Sequence, residues 1–218
     1  MDAFALLASC HDPGFGDFLR IYEESLPVRE QKPVAQISAL IGRRDYRVFL
    51  LRRDGQVAGF SIVFATPAES FCLLEYCAIH EACRNRGLGR KLFLHSIDGA
   101  AGKANPPVVL LEVDSSREAS ADMVDMADAA MRERRQQFYR RLGCLRIDKL
   151  PYILPLPGEG TPPEMDLMAH FPNGIQAIRK DQLRHWLELI YREVYDCGAE
   201  DPRIATMLAA VSDPVGIL

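Results

Sequence analysis

No stretch of this 218-residue sequence approaches the roughly 20 consecutive apolar residues that a membrane-crossing helix needs. The first dozen residues, MDAFALLASCHD, carry an early acid and no basic cluster, which argues against a secretory leader. Positive charge is not in surplus: 26 Lys and Arg stand against 30 Asp and Glu, a formal charge of -4. Affinity for nucleic acid comes largely from pairing phosphates with cations, so this balance argues against a general nucleic-acid binder. The six cysteines (10, 72, 77, 83, 144 and 197) include no CxxC pair and no Cys/His metal spacing. They read as reduced, mostly buried thiols. A cytoplasmic chain with no metal and no membrane partner is the expectation.

The remaining composition, 48% hydrophobic and 26% charged, is that of a globular domain long enough to bury a real core. Phe15, Phe18, Leu19 and Tyr22 recur at helical spacing, and a second short helix follows Pro33. The period then changes. Residues 46–52 and 56–65 read as strands joined by a hairpin at Asp54-Gly55, and 71–80 as a third strand. A helix is expected from Gly87 to about Gly99, then a buried central strand VVLLEV at 108–113. Ser115 and Glu118 form a capping box for one helix, or two helices with a break between them, that Gly143 stops. Residues 145–154 and 165–171 read as strands around a Pro/Gly-rich loop, and 181–195 as an amphipathic helix. That last helix, with Trp186, either covers the sheet or forms a homodimer contact.

The stretch CRNRGLGRKLF at 83–93 sets four cations and two glycines between a strand and a helix. A helix opening near Gly87 has unpaired N–H groups and partial positive charge in its first turn. Glycines let an anion approach the backbone closely, and Arg84, Arg86, Arg90 and Lys91 add full charges. A pyrophosphate would suit such a turn. The Walker loop's Gly-Lys-Ser/Thr is absent, and Leu92 stands where a dinucleotide fingerprint needs its third glycine. What is present is Arg84-x-x-Gly87-x-Gly89.

That pattern resembles the Arg/Gln-x-x-Gly-x-Gly/Ala signature of the GNAT superfamily of N-acetyltransferases, which follows the fourth strand and begins the third helix. The segment FYRRLGC at 138–144 is similar to the family's "FYxxxGF" at the end of the fourth helix, with Cys144 in place of an aromatic residue. LPVRE at 26–30 looks like an "FPxxER" element of one branch of the family. The resemblance covers roughly residues 15–155. It implies a mixed α/β fold with helices on both faces of a central, mostly antiparallel twisted sheet whose fourth and fifth strands splay apart. Counting a short first strand brings the order of elements into agreement. The expected organisation is an acetyl-CoA-binding domain at 1–172 with a helical extension, 173–218, packed on it.

The same resemblance implies roles. Backbone amides of Arg84, Asn85, Arg86, Gly87, Leu88, Gly89 and Arg90 would hold the acetyl-CoA pyrophosphate. Ala78 and Ile79 would offer main-chain bonds to the pantetheine arm. Tyr139 matches the tyrosine that protonates the departing thiolate. Phe138 is expected on the core-facing stripe of Met131 and Leu142, with Tyr139 rotated about 100° from it. For the base, Glu75 is the first candidate, since a carboxylate among Leu73, Leu74, Tyr76 and Cys77 must face a cleft or a cation. Glu112 and His80 are weaker candidates, and Glu30 and Tyr152 are candidates to line the acceptor pocket. Cys83 as an acyl-carrying nucleophile has no His/Asp partner visible in the sequence.

The expected activity is acetyl transfer to a primary amine, with a small-molecule acceptor favoured over a protein terminus or lysine. Two rivals stay open: an acyl-CoA-binding sensor without turnover, and a nucleotide-binding protein using the same turn.

Overall fold

A computed structural model describes residues 1–100, 108–115, 126–156, 164–198 and 200–218. The chain divides into two compact units, Met1–Val109 and Leu110–Leu218. Eight strands and six α-helices among the described residues make a mixed α/β architecture.

The first unit is an antiparallel meander, β1 (Asp2–Leu6), β2 (Tyr46–Arg53), β3 (Gln56–Phe64) and β4 (Phe71–Ile79), in that order. The hairpin between β2 and β3 turns at Asp54 and Gly55, both with positive φ. β2, β3 and the first half of β4 are almost continuously buried, which is why they read as apolar runs rather than alternations. Helix α1 (Phe15–Ser25) buries Phe18, Ile21 and Tyr22 at i, i+3 and i+4 spacing. It ends at extended Leu26, because the residue before Pro27 is pushed out of the helical region. Phe18 meets Phe60 of β3 edge-on at 4.9 Å. Helix α2 (Val34–Leu40) is short and follows Pro33. Helix α3 (Leu88–Ala100) buries Leu88, Leu92, Phe93 and Ile97, and its buried Ser96 hydroxyl meets Ser61 at 2.7 Å.

Two irregularities shape this sheet. Gly59, in register with Ile79, lies so close to β4 that a Cβ would come within 2.6 Å of both the Ala78 carbonyl oxygen and Ile79 Cδ1. Gly59→Ala is therefore expected to destabilise by about 1–3 kcal/mol, the usual range for overpacking, read as a lower urea midpoint at unchanged slope. The second is a bulge. Ile62 pairs with Tyr76 and Val63 with Leu74, so Glu75 is the extra residue on β4.

In the second unit β8 (Glu164–His170) carries antiparallel β6 (Leu145–Arg146) and β7 (Tyr152–Ile153), and β5 (Val108–Asp114), whose last five residues belong here, flanks β8. The single strand expected over 145–154 is thus two short ones. Lys149, at φ +53, turns the chain between them. Ile217 bridges Ile147, and Arg146 and Leu218 exchange backbone hydrogen bonds of 2.8 and 2.9 Å, which covers the β6 edge.

Helix α4 (Met126–Arg141) ends at Gly143, with φ +82, as expected. Its inward side differs from the expected stripe. Met131 is 54% exposed and Phe138 half-buried, whereas Gln136 and Tyr139 are buried. Polar contacts fix this rotation: Gln136 donates to Asp114 O at 2.8 Å and to buried Asp166 at 3.0 Å, and Arg135 pairs with Asp114. The capping box at 115–118 lies outside the described residues except for Ser115, as does most of the loop before β8. Helix α5 (Lys180–Glu193) buries Leu183, Trp186, Leu187 and Ile190. A further helix not anticipated from sequence, α6 (Pro202–Leu208), is capped by Asp201, which accepts from Arg203 N at 3.0 Å. No helix among the described residues is long and apolar enough to cross a membrane.

Candidate acyl-CoA turn and flanking carboxylates

β4 leaves the sheet at Ile79, and His80 N still donates to Ala58 O at 2.9 Å. A 3-10 turn, Glu81–Cys83, follows. The backbone then enters the left-handed region twice, at Asn85 (φ +61) and Gly87 (φ +72), before α3 begins at Leu88. Arg84 N donates to Glu81 O at 3.1 Å, and the next backbone donor with a carbonyl partner is Lys91 N, on Gly87 O at 3.3 Å. Among the described residues, amides 85–90 have no such bond. They form a run of donors at the positive end of a 13-residue helix. Alternation with left-handed backbone makes such a run a concave anion nest. A Cβ on Gly87 would meet nothing within 4 Å, so glycine answers the φ there and not a shortage of space.

The cations around the turn divide into two pairs. Arg84 Nε donates to Ile79 O at 3.0 Å, and Lys91 Nζ is paired with Asp2 Oδ2 at 2.6 Å, which holds the Asp2 carboxyl below its ordinary pKa. These two brace the turn. Arg86 and Arg90, both exposed, make no hydrogen bond or ion pair with the described residues. An exposed nest with two uncommitted guanidiniums fits a diphosphate. Ala78 and Ile79 end the β4 strand immediately before the turn. Cys83 is the last residue of the 3-10 turn and half-buried.

The bulge aims Glu75 inward. Its side chain is 2% exposed and forms an ion pair with Lys32 Nζ, with the Tyr46 phenol close by. Burial raises the Glu75 carboxyl above its ordinary pKa, and Lys32 opposes that shift. The same burial, reinforced by the negative charge of Glu75, pushes the Tyr46 phenol far up. Lys32 closes the segment that begins at LPVRE: Lys32 N donates to Tyr22 Oη at 2.6 Å, and Tyr76 Oη donates to Glu30 O at 3.1 Å. Glu30 is half-buried at the end of a 3-10 turn, Val28–Glu30. His80 faces α1, with Nε2 3.2 Å from Arg20 and 3.7 Å from Glu24. Sequence reasoning does not reach Lys32 or Tyr46. A cation 43 positions from its carboxylate leaves no local signature.

In the second unit Tyr139, 8% exposed, closes α4. Its carbonyl accepts from Leu142 N and Cys144 N, both at 3.0 Å, and its ring meets Phe138 edge-on at 5.1 Å. Glu112 stands half-buried between fully buried Leu111 and Val113 of β5. Tyr152 donates to one of its carboxylate oxygens and Tyr195 to the other. Tyr195, just beyond α5, is a second contact that sequence reasoning misses. The described residues hold no group of three His, Cys, Asp or Glu suited to a metal ion.

Comparison with known proteins bears on this arrangement. The family model of the acetyltransferase (GNAT) family matches residues 15–143, more than half of the chain. A solved protein from Bacteroides thetaiotaomicron, named as a GNAT-family acetyltransferase, superposes with a TM-score of 0.70 at 21% identity, covering 90% of this chain and 99% of that one. The ribosomal-protein-S18-alanine N-acetyltransferase of Escherichia coli gives 0.52 at 20% identity, covering 81% of this chain and 100% of its own. Arabidopsis thaliana NAA60, solved with acetyl-CoA, gives 0.56 at 14% identity, covering 80% of this chain and 100% of its own. At these identities the solved structures speak to the fold alone. No curated protein matches the sequence. With the family model spanning β2 to β4, the turn and α4, the chain belongs to the GNAT family of acetyltransferases, whose common chemistry is acyl transfer from acetyl-CoA.

Proposed function

We propose that this chain transfers the acetyl group of acetyl-CoA to a primary amine by direct attack, and that the acceptor is a small molecule. The observation that carries the reading is the run of amides at 85–90, set in left-handed backbone beside two uncommitted arginines. When bound, acetyl-CoA supplies the thioester. The chain's own groups do the rest. Amides 85–90 with Arg86 and Arg90 hold the diphosphate, and the main chain at Ala78 and Ile79 orients the pantetheine arm. The amine nitrogen bonds to the carbonyl carbon and the carbon–sulfur bond breaks. Tyr139 delivers a proton to the sulfur, and a carboxylate takes one from the amine.

Of the two carboxylates considered for that base, Glu112 suits it better. It is half-exposed and held by phenols, whereas Glu75 is buried and committed to Lys32. Positioning both reactants supplies much of the acceleration.

A thermal-shift comparison of acetyl-CoA, ATP and NAD at equal concentration tests the reading. At one hundred times its dissociation constant, acetyl-CoA is expected to add about 2.7 kcal/mol of stability. Stabilisation by ATP or NAD alone would overturn the proposal. Stabilisation by acetyl-CoA with no thiol released across an amine library would favour a sensor instead.

A further inference from the structure

In the first unit, β1 stands at one end of the strand order and pairs with β2 on one side only. Along an antiparallel pair, residues that bond the neighbour alternate with residues whose N–H and C=O point away from it. Leu7 N donates to Val48 O at 2.8 Å, and Asp54 N donates to Met1 O at 3.4 Å. The odd-numbered positions, Met1, Ala3, Ala5 and Leu7, are therefore the ones bonded to β2. Asp2, Phe4 and Leu6 each turn an N–H and a C=O outward, and these groups have no backbone partner among the described residues.

The usual guards of an open edge are missing. Edges are commonly blunted by lysine, by proline or by a bulge. β1 reads DAFAL, and its register with β2 runs unbroken from Asp2 against Arg53 to Leu6 against Phe49. Ala3 and Ala5 are too small to keep a neighbouring strand away. An edge that selects a foreign peptide does so with pockets for alternate side chains. Here Asp2 is paired with Lys91 Nζ at 2.6 Å, and Phe4 is stacked on His95 at 4.1 Å, so α3 already occupies that face.

The strand is, however, complementary to itself. With a second β1 laid antiparallel beside it and the two-fold axis at Phe4, Phe4 faces Phe4 of the second copy. Asp2 faces Leu6 of the second copy, and Leu6 faces Asp2. Three facing pairs exchange two N–H···O bonds each. A slide of two residues either way leaves only two such pairs, and a slide of one sets outward groups against groups already bonded to β2. No like charges meet, because the strand's one charged side chain, Asp2, lies opposite an uncharged leucine. Leu6, 50% exposed, gains a covering neighbour.

We infer that a second copy of this chain occupies the edge: two chains join through β1, antiparallel and centred on Phe4, so that their two meanders form one continuous sheet. A two-fold contact of this kind closes on itself and ends at the dimer. The inference is independent of which amine is acetylated, and it uses β1 rather than α5.

Sedimentation equilibrium of the full chain, from micromolar to millimolar concentration, tests it. The unaltered chain is expected to show a monomer–dimer equilibrium, and the amides of Phe4 and Leu6 to exchange more slowly as concentration rises. Leu6→Pro removes an outward donor and sets a ring against the incoming strand, while the odd-numbered residues keep their bonds to β2. The dimer should be lost. Two charge variants at the same exposed position read the register should Leu6→Pro fold poorly. Leu6→Glu places a carboxylate opposite Asp2 of the second copy, twice by symmetry, and Leu6→Lys places an ammonium there. The dimer Kd of Leu6→Glu is expected to exceed that of Leu6→Lys roughly tenfold. A chain that stays monomeric throughout, a dimer that survives a folded Leu6→Pro, or equal Kd for the two charge variants would overturn the inference.

Discussion

Replacing Tyr139 by Phe is expected to lower kcat by about 10²–10⁴-fold, the usual worth of a positioned general acid, with KM for acetyl-CoA unchanged. The ring is held from several sides. Gly143 ends α4 in left-handed backbone, so that Leu142 N and Cys144 N fold back onto the Tyr139 carbonyl. One turn earlier Gln136 is anchored to Asp114 O and Asp166. Phe138 packs edge-on against the ring. Phenylalanine keeps all of these contacts and removes only the hydroxyl. A departing thiolate has an ordinary pKa near 8.5 and leaves far more readily when protonated. An unchanged kcat would remove Tyr139 from the chemistry and leave it a packing residue.

The second large effect concerns stability. Lys32→Met leaves Glu75 buried without its cation, and breaking a buried pair by removing one partner costs about 3–5 kcal/mol. Urea unfolding at neutral pH measures it. The pH dependence has a definite sign. Burial already raises the folded-state pKa of Glu75 above the ordinary carboxyl value, and loss of Lys32 removes the main opposing influence. The folded state then holds the proton more tightly than the unfolded chain. The associated stability is fully present below the unfolded pKa and lost as pH rises through the folded one. The deficit of Lys32→Met should therefore shrink as pH falls toward the unfolded carboxyl range. Adding Glu75→Gln should recover most of it at neutral pH, because a neutral amide replaces the uncompensated charge. A deficit below about 1 kcal/mol, the range of exposed pairs, would contradict this reading of the pair.

Much of the first unit is legible in the sequence, for physical reasons. Strands expected at 46–52, 56–65 and 71–80 are found within one residue at each end, because Asp54-Gly55 and the apolar runs of a doubly covered sheet are strong local signals. The glycine turn is legible for the same reason. Its left-handed backbone needs Gly87, and only the sorting of its cations escapes, since Lys91 finds Asp2 at the other end of the unit's sequence.

Glu75 illustrates the limit. Its cost in an apolar strand correctly demands a cleft or a cation, but naming Lys32 requires the bulge that aims it, and a bulge has no sequence signature here. α4 misleads in another way. Its residues are mostly charged or polar, so apolar periodicity is too weak to phase it, and Gln136 and Arg135 set its rotation through polar contacts. The Asp201-Pro202 start of α6 was readable as an N-cap followed by proline at N1. Tyr195 was not, because its partner lies 83 positions earlier.

Amide hydrogen exchange with and without acetyl-CoA probes the central structural claim most directly. The amides at 85–90, which no backbone carbonyl among the described residues holds, should exchange readily against solvent in the free chain. Marked slowing across that run on addition of acetyl-CoA, largely abolished by Gly87→Ala, is the expected result. Unchanged exchange at 85–90 under saturating acetyl-CoA, with protection appearing elsewhere, would contradict it.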